Sequence, residues 1–129
     1  MPTKQVLVLR KDLNMRKGKM IAQGSHACLK AIIDLGRTAF GMLLVPIDKG
    51  TGKHIQNWME DNYTKIAVSV NSEDELFEIY RQAKEATLPC SLIKDAGLTE
   101  FKEPTYTAVA IGPGPVEKIN KITGHLPLL

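Results

Sequence analysis

Apolar and polar positions follow two rhythms along this chain. Residues 5–10 (Gln-Val-Leu-Val-Leu-Arg) form a near-continuous apolar run with β-branched members, which predicts a central strand buried on both faces. A polar connection at 11–16 leads into a predicted helix over about 18–35. At about 100° per residue, Lys19, Gln23, His26 and Lys30 share a narrow sector, while Ile21, Ser25, Cys28, Leu29, Ile32 and Ile33 fall roughly opposite. The second set reads as the packing face and the first as a polar stripe, which on periodicity alone is a solvated face. Gly36 is placed to end the helix as a left-handed cap.

Residues 40–52 carry little signal. A short helix is expected over 54–61, with Ile55, Trp58 and Met59 packing at helical spacing. Residues 65–70 alternate like a strand, and 71–75 (Asn-Ser-Glu-Asp-Glu) supply an N-cap and an acidic first turn for a helix reaching Ala86. Its buried stripe is Leu76, Ile79, Tyr80 and Ala83. Residues 89–94 and 106–112 predict a third and a fourth strand. Gly112-Pro113-Gly114-Pro115 then turns the chain, and Pro115 suits the first position of a last helix through Ile122. The apolar tail at 124–129 is expected to dock.

Strands alternating with helices predict an α/β fold. The first three strands are joined by two right-handed parallel crossovers, and the short link to the fourth admits an antiparallel partner. The expected architecture is a three-layer α/β/α single domain over 1–129 with a four-stranded mixed sheet.

Composition adds three constraints. A chain of 129 residues with 43% hydrophobic and 24% charged residues has the size and balance of one globular domain. Charge is uneven: residues 1–65 carry 11 Lys and Arg against 5 Asp and Glu, whereas 66–129 carry 6 against 9, so the halves are net +6 and −3. A basic half permits a polyanionic partner held by its phosphates, and seven aromatic residues argue against base stacking as the main mode. Cys28 and Cys90 read as reduced thiols. With no apolar run near membrane-spanning length and no leader pattern, no membrane association and a cytoplasmic location are expected.

Candidate chemistry gathers beyond the carboxyl ends of the parallel strands, where sheets of this kind bind ligands. Lys17 and Lys19 follow the first strand and Asp95, Gly97 and Thr99 close the third. Thr107 lies on the fourth strand, whose exit offers Gly112 and Pro113 for close approach to a ligand. His26, His54 and His125 show no ligand spacing with the cysteines, so no metal is expected. Ser25 and His26 point about 100° apart on a helix, which speaks against a serine nucleophile. The Gly-Pro-Gly-Pro turn lacks the lysine and hydroxyl of a nucleotide-binding loop.

The motifs Asp12-Leu13 with Met15, Lys17-Gly18-Lys19, Ala22-Gln23 with Ser25-His26-Ala27, Asp95-Ala96-Gly97 with Thr99, Thr107, Ile111 to Pro115, and Thr123-Gly124-His125-Leu126 occur in order along essentially the whole chain. In these the sequence resembles the type II peptidyl-tRNA hydrolases of archaea and eukaryotes. It departs from their pattern at Arg16, which replaces the first glycine of Met-Gly-Lys-Gly-Lys, and over about 38–62, which does not align.

The resemblance implies hydrolysis of the ester joining a peptide to the ribose of tRNA, with no cofactor. It places Lys19, Asp95, Thr99 and Thr107 in catalysis with Gln23 and His26 nearby, and the substrate contacts are read as Gln23, His26, Gly112 and Pro113. Lys11, Arg16, Lys17 and Lys30 are candidates for tRNA phosphates. Lys19, ordinarily of pKa about 10.4, suits an oxyanion or a phosphate. Asp95, ordinarily near 3.9, is a weak base and is read first as orienting water and Lys19, with general-base action second. Thr99 and Thr107 have hydroxyls to place water or ester oxygens. The competing reading is a non-catalytic tRNA-binding or protein-interaction module on the same fold. The resemblance, together with the apolar residues at 42–45, suggests a homodimer.

Overall fold

A computed structural model describes residues 2–129. Strand β1 (Thr3–Arg10) is followed by a 3-10 turn at Lys11–Leu13 and by α1 (Lys17–Ile33). A hairpin of β2 (Arg37–Ala39) and β3 (Met42–Leu44), then α2 (Ile55–Glu60), precede β4 (Lys65–Val70) and α3 (Glu73–Glu85). The chain ends with β5 (Cys90–Asp95), β6 (Thr105–Pro115) and α4 (Val116–Thr123).

The main sheet runs β4-β1-β6-β5. β1 and β4 pair parallel, and β6 is antiparallel to both β1 and β5, giving the expected mixed sheet. Even positions of β1 and β4 (Val6, Val8, Val68, Val70) pack with Leu76, Ile79 and Ala83 of α3 and Ile119 and Ile122 of α4. Odd positions face α1, where Leu9 packs with Met15, Ala27 and Ala31. The tail docks on β4: Val68 bridges Leu128 and the Ser69 N–H donates to the Pro127 carbonyl.

α1 packs through a face other than the expected one. Gln23, Gly24, Ala27 and Ala31 are buried, whereas Ile21 and Leu29 are 70% and 58% exposed. The reason is steric. The sheet presents the large Leu7 and Leu9, so the helix approaches through its smallest side chains, and a Cβ on Gly24 would lie 3.3 Å from Leu7. A count of hydrophobic residues finds the wrong face when the packing face is built from glycine and alanine. Gly36 is likewise no left-handed cap; α1 ends at Ile33, and a Cβ at Gly36 would collide with the Leu44 carbonyl oxygen. In α2, Ile55 and Trp58 are buried but Met59 is exposed.

Two irregularities shape β6. Ile93 pairs with Ala108 and Lys94 with Tyr106, so Thr107 has no partner on β5 and forms a bulge. A second shift lies between Lys4 and Val6, opposite Gly112 and Pro113.

Candidate active site

The end of the sheet where β1, β4 and β5 finish and β6 begins carries the polar residues. Arg10, at the tip of β1, donates to the Tyr106 carbonyl at 3.0 Å and pairs with Asp12 at 2.7 Å, tying the β1 to α1 connection to the start of β6. Met15 is buried against the α1 side of the core, so the first turn of α1 starts from a fixed point.

That turn carries Lys19 inward. Its ammonium donates to Asp95 Oδ1 at 2.5 Å and to Thr99 Oγ1 at 2.6 Å, and lies 5.8 Å from the centre of the Phe101 ring. The second Asp95 oxygen accepts from the Gly97 N–H at 2.9 Å. Gly97 has φ +84°, and a Cβ there would lie 2.7 Å from the Glu103 carbonyl carbon, so the loop turns this tightly only with glycine. The Lys19 hydrogen bond first, and the Gly97 N–H second, hold the Asp95 carboxyl below the usual carboxylate range. Asp95 is therefore ionised at neutral pH and a poorer proton acceptor than a free aspartate.

The bulge supplies the next pair. Thr107 would face α3 in a regular ladder, but the extra residue turns it toward α1. There its hydroxyl donates to Gln23 Oε1 at 2.5 Å, both residues being buried. The Gln23 amide nitrogen has no acceptor among the described residues, which leaves N–H donors for a ligand carbonyl. His26 is exposed on the same side of α1, and its charge adds weakly to the field that lowers Asp95.

Lys11, Arg16 and Lys17 are exposed around the start of α1. The Arg16 backbone N–H reaches Glu100 Oε2 at 3.4 Å, and its guanidinium stands 3.8 Å from the same carboxylate. Lys30 is elsewhere. Eleven residues put it about 16 Å further along the helix axis, where it pairs with Asp34 at 3.1 Å. Ser25 donates to the Ile21 carbonyl at 2.8 Å and lies on a different face of α1 from Lys19 and Gln23.

A family model described as Peptidyl-tRNA hydrolase PTH2 matches residues 3–129. The chain belongs to this family. Proteins named peptidyl-tRNA hydrolase from Methanocaldococcus jannaschii and Sulfurisphaera tokodaii are 47% and 40% identical to it. The alignments cover 98% and 100% of this chain, and 99% and 100% of those proteins. A third so named, from Thermococcus onnurineus, is 37% identical over 98% of the chain and 97% of its own length.

Within this member of the PTH2 family, the structure brings together Lys19, Asp95 and Thr99, and beside them Gln23 and Thr107. It does not bring Gly112 and Pro113 to this cluster. β6 runs antiparallel to its neighbours, so its exit lies at the opposite end of the sheet from Thr107, and both residues are buried there. The Gly112 N–H donates to the Pro89 carbonyl at 2.7 Å. A left-handed φ of +100° and a Cβ that would lie 2.6 Å from the Lys4 carbonyl oxygen account for the glycine by packing alone. Sequence reasoning missed Phe101 beside Lys19 and the Gly97 N–H on Asp95. A lone aromatic in a polar loop and a backbone group give no pattern to find.

Proposed function

We propose that this chain hydrolyses the ester between the terminal carbonyl of a peptide and the ribose of tRNA, without a cofactor. The observation that carries this reading is the Lys19 ammonium clamped between the Asp95 carboxylate and the Thr99 hydroxyl where β5 ends. Ester cleavage consumes one water, whose hydroxyl joins the carbonyl carbon and whose proton ends on the departing ribose oxygen. Lys19 faces the negative charge that develops on the carbonyl oxygen. Asp95 holds Lys19 and, with Thr99, orients the water; its lowered basicity favours this over lasting proton storage. Gln23, fixed by Thr107, offers its N–H groups to the peptide.

The same reading gives the tRNA backbone to Lys11, Arg16 and Lys17, which stand exposed at the positive end of α1. Among the described residues no helix is long and apolar enough to cross a membrane. The test is release of peptide from an N-acylated aminoacyl-tRNA. Lys19→Ala and Asp95→Ala are expected to stay folded and lose about a hundredfold or more in turnover. Near-normal turnover in both variants overturns the mechanism, and tRNA binding without cleavage in the unaltered chain overturns the enzymatic reading.

A further inference from the structure

The two outer strands of the main sheet are finished differently. Along β4 the carboxyl-terminal tail takes up the free edge: Val68 bridges Leu128, and the Leu129 N–H donates to the Ala67 carbonyl at 3.0 Å. β5 is the last strand on its side. In an antiparallel ladder residues alternate between bonding to the neighbouring strand and facing away from it. The Gly112 N–H bonds to the Pro89 carbonyl, one step outside the register that pairs Cys90 with Ile111 and Ser91 with Ala110. Counting by two from Pro89, Ser91 and Ile93 bond to β6, and the backbone N–H and C=O groups of Cys90, Leu92 and Lys94 face outward. Among the described residues, no backbone group outside the sheet bonds to any of these three.

This open edge leads into the candidate active site. β5 ends at Asp95, which holds Lys19. At its other end Cys90 lines a cavity of about 300 Å³ with Leu35, Tyr80 and Leu88. The distance between the two ends is about 17 Å, the length of roughly five extended residues. A short strand that finishes on Lys94 and Asp95 is a poor template for aggregation, but it is long enough for a short peptide. The peptide of the substrate is joined to tRNA through its terminal carbonyl, beside Lys19. Its chain direction therefore points toward Asp95, as that of β5 does.

We propose that the outer edge of β5 binds the peptide part of the substrate, which adds to the sheet as a short parallel strand. This rests on the ester hydrolysis proposed above. In parallel pairing, a peptide residue set between Cys90 and Leu92 donates to the Cys90 carbonyl and accepts from the Leu92 N–H. The residue two further on does the same between Leu92 and Lys94, and the residue between them faces away. Bonds of this kind are made by main chain alone. They suit a substrate whose peptide can have any sequence.

Steady-state hydrolysis by the full chain of tRNA carrying N-acetylated peptides of one to eight residues tests this. KM is expected to fall about tenfold from one residue to about five and then to level off, with kcat little changed. Within the five-residue substrate, N-methylation of the peptide amides that face β5 is expected to raise KM about fivefold, and methylation of the intervening ones to leave it. Leu92→Pro removes an outward N–H while sparing the bonds to β6, and is expected to flatten the dependence of KM on length. The N-methyl series decides alone if that variant does not fold. A KM indifferent to peptide length, or equally sensitive to every methylated amide, overturns the proposal and leaves the hydrolysis standing. A chain that cleaves none of these esters overturns the hydrolytic reading itself, and the peptide site with it.

Discussion

Thr107 reaches Gln23 because it is the bulged residue of β6, unpaired on β5 between the paired Tyr106 and Ala108: its hydroxyl lies 2.5 Å from Gln23 Oε1 across the interface of sheet and helix. The bond fixes which end of the Gln23 amide is occupied and which is free. Thr107→Val is expected to strand a buried carbonyl oxygen, costing about 1–3 kcal/mol of stability and lowering kcat. Thr107→Ser is expected to restore most of both. Thermal unfolding and turnover measured on the two variants check this, and an unimpaired valine variant contradicts it.

The Lys19–Asp95 pair predicts an acid limit. Because the folded carboxyl titrates below its unfolded value, the pair adds stability above the ordinary aspartate pKa of about 3.9. That contribution is lost as pH falls toward the lowered folded value. Urea unfolding of the unaltered chain and Asp95→Asn should therefore differ by a constant amount near neutrality, with the gap closing only in acid. Turnover should keep its plateau down to pH values where a free aspartate already protonates.

Gly112→Ala separates a packing role from a substrate role. The added methyl meets the Lys4 carbonyl oxygen at 2.6 Å on backbone with φ +100°, so a loss of about 2–4 kcal/mol in stability is expected. At a temperature where the variant stays folded, KM should be unchanged. A raised KM without loss of stability would return Gly112 to the substrate site.

Arg16→Gly removes an exposed cation that makes only a long contact with Glu100. It is expected to raise KM, leave kcat in place and reduce the slope of log affinity against log salt by about one. Turnover titrated at several salt concentrations reads all three.

Much of this was written in the chain at short range. The β1 run, the Ser72 cap that accepts from the Glu75 N–H, and the Leu76, Ile79 and Ala83 stripe formed as their local patterns predict. What escaped depends on partners distant in sequence. The buried face of α1 is set by the size of Leu7 and Leu9, which its own periodicity does not register. Gly112 was drawn to the wrong end because the direction of β6 decides where its exit lies, and a motif has no direction until the sheet is assembled. That Lys19 and Asp95 meet is legible from their places after parallel strands, whereas the contact of Thr107 with Gln23 needs a bulge that no residue in β6 announces.

The bulge makes the Thr107–Gln23 contact depend on a count of residues more than on their kind. Deleting Thr107 would let Tyr106 and Ala108 follow each other in an unbroken ladder against Lys94 and Ile93, with every core side chain still on its own face. Such a sheet would be more regular than the native one and would have lost its hold on Gln23. Here the hold on Gln23 occupies the place where the strand is one residue too long.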